Sequence, residues 1–81
     1  MPLSIAPSNV TVEVKRIVAD DKVKKHLGEL GISAGTRITV LSSDGGSVII
    51  IVKDGRLCLD RVLASHITVI PVHDNLTLTE S

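Results

Sequence analysis

The side chains with the widest chemistry in this sequence are its thiol, imidazole and carboxylate groups, which are the usual protein ligands of transition metals. The candidates for such a role are Cys58, His26, His66, His73, Asp60 and Asp74. Their spacing matches no standard metal-binding motif. We therefore interpret the histidines as solvated and the thiol as buried or half-buried, and we predict no metal site and no cofactor.

No residue pattern in the chain indicates catalysis. Paired carboxylates do not stand out, and no serine, histidine and aspartate share a motif context. The segment Asp44-Gly45-Gly46 predicts a hairpin turn and lacks the spacing of a phosphate-binding loop. The sequence thus predicts a non-enzymatic protein that acts through its surface.

The composition excludes several binding mechanisms. Nine basic and nine acidic residues give a net charge of zero, which argues against charge-driven binding of nucleic acid. The absence of Phe, Trp and Tyr removes the stacking platforms for single-stranded nucleic acid and the aromatic grooves for proline-rich peptides. One cysteine forms no internal disulfide, and the N-terminus does not resemble a signal peptide, so we expect a cytoplasmic protein.

Short apolar runs separated by Gly, Asp and Ser predict a mainly β domain. The predicted strands are Val10 to Ile17, Thr36 to Leu41, Ser47 to Lys53, Arg56 to Asp60 and His66 to Val72. Residues 61–65 predict a single helical turn before the last strand. The pattern favours one domain over residues 1–72, a small and partly open barrel, followed by a flexible tail over residues 73–81.

One α-helix is predicted after the first strand. It begins at Asp20-Asp21, where a carboxylate can cap free backbone N–H groups. Its apolar stripe consists of Val23, Leu27 and Leu30. Gly31 predicts a left-handed C-terminal residue, with Ile32 contacting Leu27 in a Schellman motif. Gly28 either permits close packing against a neighbour or is simply tolerated.

The dipeptide Asp54-Gly55 predicts a two-residue hairpin loop, which would fix the strand register. The predicted pairs are Lys53 with Arg56, Val52 with Leu57, Ile51 with Cys58, Ile50 with Leu59 and Ile49 with Asp60. One face then lines the core with Val48, Ile50, Val52, Leu57 and Leu59. The other face carries Ile49, Ile51 and Cys58 with the charged Lys53, Arg56 and Asp60.

Apolar groups on that outer face predict an interface, unless the helix, the tail or a bend of the strands covers them. A second candidate surface is the outer side of the helix, which is either solvated or contacts an acidic patch. The predicted partner-binding residues are Ile49, Ile51, Lys53, Arg56, Cys58, Lys24 and Lys25.

Two stretches carry a resemblance to a known family. The segment from Leu27 to Thr36, with its Glu29-Leu30-Gly31-Ile32 core, is similar to the central motif of the ferrous iron transport protein A (FeoA) family. The segment from Arg56 to Leu59, followed by Ala64, Ile67 and Val69, resembles a second family motif. The sequence departs from the family pattern at Ala34, Cys58 and Asp60, where proline, alanine and arginine are common.

The resemblance implies an SH3-like barrel in the cytosol that acts with FeoB, the membrane ferrous iron permease with a GTP-binding domain. It extends from about Leu3 to Val72. One alternative is a metal-binding or metal-sensing domain that uses Cys58 and histidines, related to the C-terminal domain of iron-dependent repressors. Another is an RNA-binding barrel, which zero net charge and zero aromatics disfavour. A homo-oligomer is also compatible with the outer isoleucines.

Overall fold

The computed structural model describes residues 1–53 and 55–72. After a short 3-10 helix at Leu3–Ile5, the elements are β1 Val10–Ile17, α1 Asp21–Glu29, β2 Arg37–Ser43, β3 Ser47–Val52, β4 Gly55–Asp60, α2 Arg61–Ser65 and β5 Ile67–Pro71. The five predicted strands, the helix after the first strand and the short helix before the last are confirmed. The 3-10 helix was not predicted. The predicted tail over residues 73–81 lies outside the described residues.

The strands form one antiparallel sheet in the order β4-β3-β2-β1-β5. The register shifts between Val14 and Arg16 in β1 and between Val40 and Ser42 in β2. Such bulges bend a strand and increase its twist, so the sheet can curl around its apolar side. Over the described part of the chain the sheet does not close, which agrees with the predicted partly open barrel.

The core is built from aliphatic side chains alone, as a chain without Phe, Trp and Tyr requires. Alternating positions of all five strands point into it, because successive strand residues face opposite sides of a sheet. The largest fully buried side chains are Leu3, Leu27, Ile32, Ile38, Ile50, Ile67, Val12, Val14, Val40, Val48 and Val69. The core therefore depends on the sheet, the N-terminal segment and α1 together.

Local signals define both ends of α1, as the sequence predicts. The Asp20 carboxylate accepts a hydrogen bond from the Val23 N–H at 3.0 Å and caps the first turn. At the other end Gly31 has φ +91°, and the Ile32 N–H donates to the Leu27 carbonyl at 2.9 Å. This bond is the long bond of a Schellman motif, and it brings the buried Ile32 beside the buried Leu27.

The N-terminal segment completes the sheet on one side. Pro2 forms a bridge with Thr68, and Met1 exchanges backbone hydrogen bonds of 2.7 and 2.9 Å with Val69. The outer edge of β5 is therefore covered by the chain itself. Among the described residues, no helix has the length and apolar character needed to cross a membrane.

Candidate interaction surface

The β3-β4 hairpin has a different register from the one predicted. Val52 pairs with Gly55, Ile51 with Arg56 and Ile49 with Cys58, so each β3 residue lies opposite a β4 residue two positions earlier than expected. The loop between the strands thus begins at Lys53, which has φ +56°. The prediction placed Gly55 inside the loop, whereas Gly55 is the first residue of β4.

A displacement of two residues leaves every side chain on its predicted face, because the side-chain period of a strand is two. Val48, Ile50 and Val52 are buried, while Ile49 and Ile51 are half-buried. We call the five outer residues the hairpin stripe; they are Ile49, Ile51, Lys53, Arg56 and Cys58. The structure brings these predicted site residues together on two adjacent strands and their turn.

The isoleucines of the hairpin stripe are partly shielded from one side. On β2, Thr39 lies opposite Ile51 and Ser42 lies opposite Ile49. On β4, Cys58 is an exposed free thiol, so the prediction of a buried or half-buried thiol is wrong. Cys58 is exposed because β4 is an edge strand of the sheet and the Cys58 side chain lies on the outer face. The stripe therefore has a partly accessible aliphatic centre and an exposed border at Lys53, Arg56 and Cys58.

The two predicted lysines of α1 are exposed. Lys24 lines a shallow groove with Arg16, Ile17, Ile32, Ser33 and Ala34. None of these groove residues belongs to the hairpin stripe, so Lys24 and the stripe do not share this groove. The juxtaposition of Lys24 and Arg16 gives this groove a basic character, which suits an acidic contact.

A second groove, larger than the one at Lys24, was not predicted. It has a volume of about 890 Å³ and lies where the β2-β3 loop, α2 and the start of α1 meet. Asp60 caps α2 by accepting a hydrogen bond from the Leu63 N–H at 2.8 Å, and Arg61 Nη1 donates to the Asp44 carbonyl at 2.7 Å. Val62 projects there with 72% of its surface exposed. The sequence signal was available at Asp60, a good N-cap residue directly before a short helical segment.

The carboxylate of Asp44 organises the β2-β3 loop beside this groove. It accepts hydrogen bonds from the Gly46 N–H at 3.0 Å and the Ser47 N–H at 3.1 Å. These two bonds favour the ionised carboxylate and lower the pKa of Asp44 below its ordinary value, with a smaller contribution from the positive charge of Arg61. The bond from Arg61 to the Asp44 carbonyl attaches this loop to the start of α2.

The predicted metal-ligating side chains are spread over the domain. His26 is exposed near the end of α1, His66 is exposed at the C-cap of α2, and Asp60 is engaged as an N-cap. His73 and Asp74 lie outside the described residues. Within residues 1–53 and 55–72, no three His, Cys, Asp or Glu side chains are grouped closely enough to hold a metal ion.

A protein-family model described as the FeoA domain matches residues 1–71. The chain belongs to the FeoA family. FeoA relatives include a protein of Methanocaldococcus jannaschii described provisionally as an Fe(2+) transport protein A. That protein is 34% identical over 68 residues, which cover 84% of this chain and 83% of the relative. The proteins of this family are ferrous iron transport accessory proteins.

Solved structures confirm the FeoA fold. The crystal structure of an iron uptake regulatory protein (FeoA) has a TM-score of 0.84 and 26% identity, over 89% of this chain and 97% of that one. A zinc complex of FeoA from Stenotrophomonas maltophilia, described as a prokaryotic SH3 domain protein, has a TM-score of 0.76 and 24% identity, over 86% of this chain and 89% of that one. The predicted SH3-like architecture is thus confirmed.

The FeoA fold also occurs inside larger proteins. A manganese-dependent transcriptional repressor has a TM-score of 0.81 and 24% identity, and the match covers 89% of this chain but only 41% of the repressor. The likeness is one of fold. It agrees with the predicted relationship to repressor C-terminal domains and assigns no metal ligand to this chain.

Proposed function

We propose that this FeoA chain is a non-enzymatic cytosolic accessory protein of ferrous iron uptake, and that it binds and modulates the cytosolic part of a FeoB-type GTPase permease. Membership of the FeoA family is the observation that carries the proposal. The 34% identical archaeal relative supports the assignment to Fe(2+) transport. Iron is then the cargo of the permease and needs no resident site in this chain.

We propose the hairpin stripe as the surface that meets the permease. Its half-buried Ile49 and Ile51 provide an aliphatic centre, and the exposed Lys53 and Arg56 provide a cationic border. Protein interfaces commonly combine an apolar centre with a polar rim, and arginine is enriched in them. The stripe lies on strands that are paired with their neighbours, so we expect little ordering of the backbone on binding.

The basic groove at Lys24 and Arg16 is proposed as a secondary contact. Together with Lys25 it would face an acidic region of the permease domain and act mainly on the rate of association. Lys24 and Lys25 lie on α1, so their charges can be removed without altering the strands. Raising the ionic strength should weaken this contribution, since exposed charges are screened over about 10 Å at 0.1 M salt.

A binding assay with the purified cytosolic domain of the permease tests the proposal. We expect Ile51→Lys to weaken binding at least about tenfold, because it places a charge in the aliphatic centre of the stripe. The matched control is Ile70→Lys, which makes the same change on β5, where Ile70 is 41% exposed. Circular dichroism establishes that both variants remain folded.

Three results are informative. Loss of binding only in Ile51→Lys supports the hairpin stripe. Equal binding by wild type and both variants removes the stripe from the interface. Absence of binding by the folded wild type contradicts the proposed partner.

A further inference from the structure

Among residues 1–53 and 55–72, the outer edge of β4 pairs with no other strand. The other edge strand, β5, is covered by Met1 and Pro2 through the hydrogen bonds described above. In β4 the register with β3 runs without a bulge from Gly55 to Asp60. Proteins usually protect an open edge with proline, a bulge or charged side chains, because unpaired strand edges recruit further strands. Strand β4 contains neither proline nor a bulge, and its two charged residues, Arg56 and Asp60, have opposite signs.

The hydrogen-bond pattern identifies which backbone groups of β4 face outward. The Arg61 N–H donates to the Gly46 carbonyl at 3.2 Å, directly after the Ser47–Asp60 pair. Because hydrogen-bonded and non-hydrogen-bonded pairs alternate in antiparallel sheets, Leu59 and Leu57 bond to β3 and the residues between them do not. The N–H and C=O groups of Arg56 and Cys58 and the N–H of Asp60 therefore point away from the sheet, while the Asp60 carbonyl, at the N-cap of α2, accepts the first hydrogen bond of that helix. Outside the strand ladder, no backbone hydrogen bond among the described residues involves Arg56 or Cys58.

Arg56, Cys58 and Asp60 can pair with the same three residues of a second copy of the chain. If two β4 strands pair antiparallel with Cys58 opposite Cys58 of the second copy, Arg56 lies opposite Asp60 and Asp60 lies opposite Arg56. The Cys58 pair is then of the hydrogen-bonded type and exchanges two backbone bonds, and in each flanking pair the Asp60 N–H donates to the Arg56 carbonyl of the other copy. The side chains of Arg56 and Asp60 are on the same outer face. Oδ1 of Asp60 caps α2, so the other carboxylate oxygen would face Arg56 of the second copy, and two opposite-charge pairs flank the axis.

We propose that the protein forms a two-fold symmetric dimer through β4, with Cys58 on the axis and two Arg56–Asp60 pairs beside it. The same pairing places Leu57 of one copy opposite Leu59 of the other on the inner face, where Leu57 is half-buried against the core. Dimerisation thus removes apolar surface from water as well as satisfying the edge. It also joins the two hairpin stripes into one continuous outer surface. The inference concerns self-association and stands independently of the permease.

The test uses the full chain and its single cysteine. Sedimentation velocity over a range of concentrations measures self-association, and a short bis-maleimide probes the axis. Cα atoms of a hydrogen-bonded antiparallel pair lie about 5.5 Å apart, so Cys58 should be cross-linked to Cys58 of the second copy in high yield. A chain that sediments as a monomer at all concentrations, with no cross-link above the level of random collision, overturns the proposal.

Charge variants test the register. Arg56→Glu places Glu opposite Asp60 twice in the dimer, and we expect dimerisation to weaken about tenfold or more. Lys53→Glu makes the same charge change in the hairpin turn and should leave the dimer unchanged. Adding Asp60→Asn to Arg56→Glu keeps a capping side chain on α2 and removes the repulsion, so it should restore much of the lost affinity. Equal weakening by Arg56→Glu and Lys53→Glu, or no recovery in the double variant, contradicts this pairing.

Discussion

Two glycines at the end of α1 should respond to the same substitution with opposite sign. Gly28 lies in the helix, and a Cβ built on it has no neighbour within 4 Å beyond the helix itself. The structure therefore favours tolerance over close packing at this position. Gly28→Ala should stabilise the domain by about 0.5–1 kcal/mol, because glycine pays more backbone entropy than alanine in a helix.

Gly31 has φ +91°, and a Cβ there would lie 3.4 Å from Val52 Cγ1. This distance is ordinary contact, so the cost of Gly31→Ala arises from the left-handed backbone and amounts to about 1–2 kcal/mol. The two alanine variants should thus differ by about 1.5–3 kcal/mol in the free energy of unfolding. Gly31→Asn should recover part of the loss, since asparagine tolerates this region better than alanine.

Urea titration followed by circular dichroism measures these differences, because the chain has no aromatic residue to report by fluorescence. With a slope of about 1 kcal/mol/M for so small a domain, the unfolding midpoint should fall by about 1–2 M in Gly31→Ala and rise by about 0.5–1 M in Gly28→Ala. A midpoint for Gly31→Ala equal to that of wild type would refute the assigned Schellman conformation. Destabilisation by Gly28→Ala would refute the open surroundings of Gly28.

Three further predictions concern α2, the loop and metals. Asp60→Ala should lower the free energy of unfolding by about 1 kcal/mol through loss of the α2 cap, whereas Asp60→Asn should stay close to wild type in the same urea titration. Because the pKa of Asp44 is lowered in the folded state, the ionised carboxylate contributes fully to stability above its unfolded pKa of about 3.9. This contribution is lost as the pH falls through the folded pKa. Asp44→Asn should therefore reduce the drop in urea midpoint over that acidic range. Anaerobic titration calorimetry with ferrous iron should show affinity weaker than about 1 mM, the value that corresponds to roughly −4.1 kcal/mol, and tighter binding lost in Cys58→Ser would favour the metal-binding alternative.

The helix α1 could be predicted because its signals are local. Asp20 meets the first free N–H groups within one turn, and Gly31 provides the left-handed residue that ends the helix. The alternation of Val48, Ile50 and Val52 likewise predicts the buried face of β3, since it depends only on the period of a strand. The groove around α2 could not be predicted, because it forms from loop and helix residues that meet only in the folded sheet.

The hairpin register shows where local signals fail. Two registers that differ by two residues bury the same side chains, so the hydrophobic pattern cannot distinguish them. The predicted register therefore rested only on the preference of Asp54-Gly55 for a two-residue loop. In the structure, contacts beyond the hairpin favour the other register. The end of β4 is attached to the β2-β3 loop by the bonds from Arg61 to Gly46 and Asp44.

The two-residue difference in register determines which backbone groups of β4 can bond to a second copy of the chain. In the predicted register the outward backbone groups would belong to Leu57 and Leu59, and no opposite charges would meet in hydrogen-bonded pairs across a symmetric β4 edge. In the observed register they are the N–H and C=O groups of Arg56 and Cys58 and the N–H of Asp60. Arg56 and Asp60 lie two residues on either side of Cys58 and carry opposite charges. The Arg61 contacts that fix the register therefore also create the proposed dimer edge. Arg61→Ala, which removes the 2.7 Å bond to the Asp44 carbonyl, should consequently lower the yield of the Cys58 cross-link, and an unchanged yield would contradict this dependence.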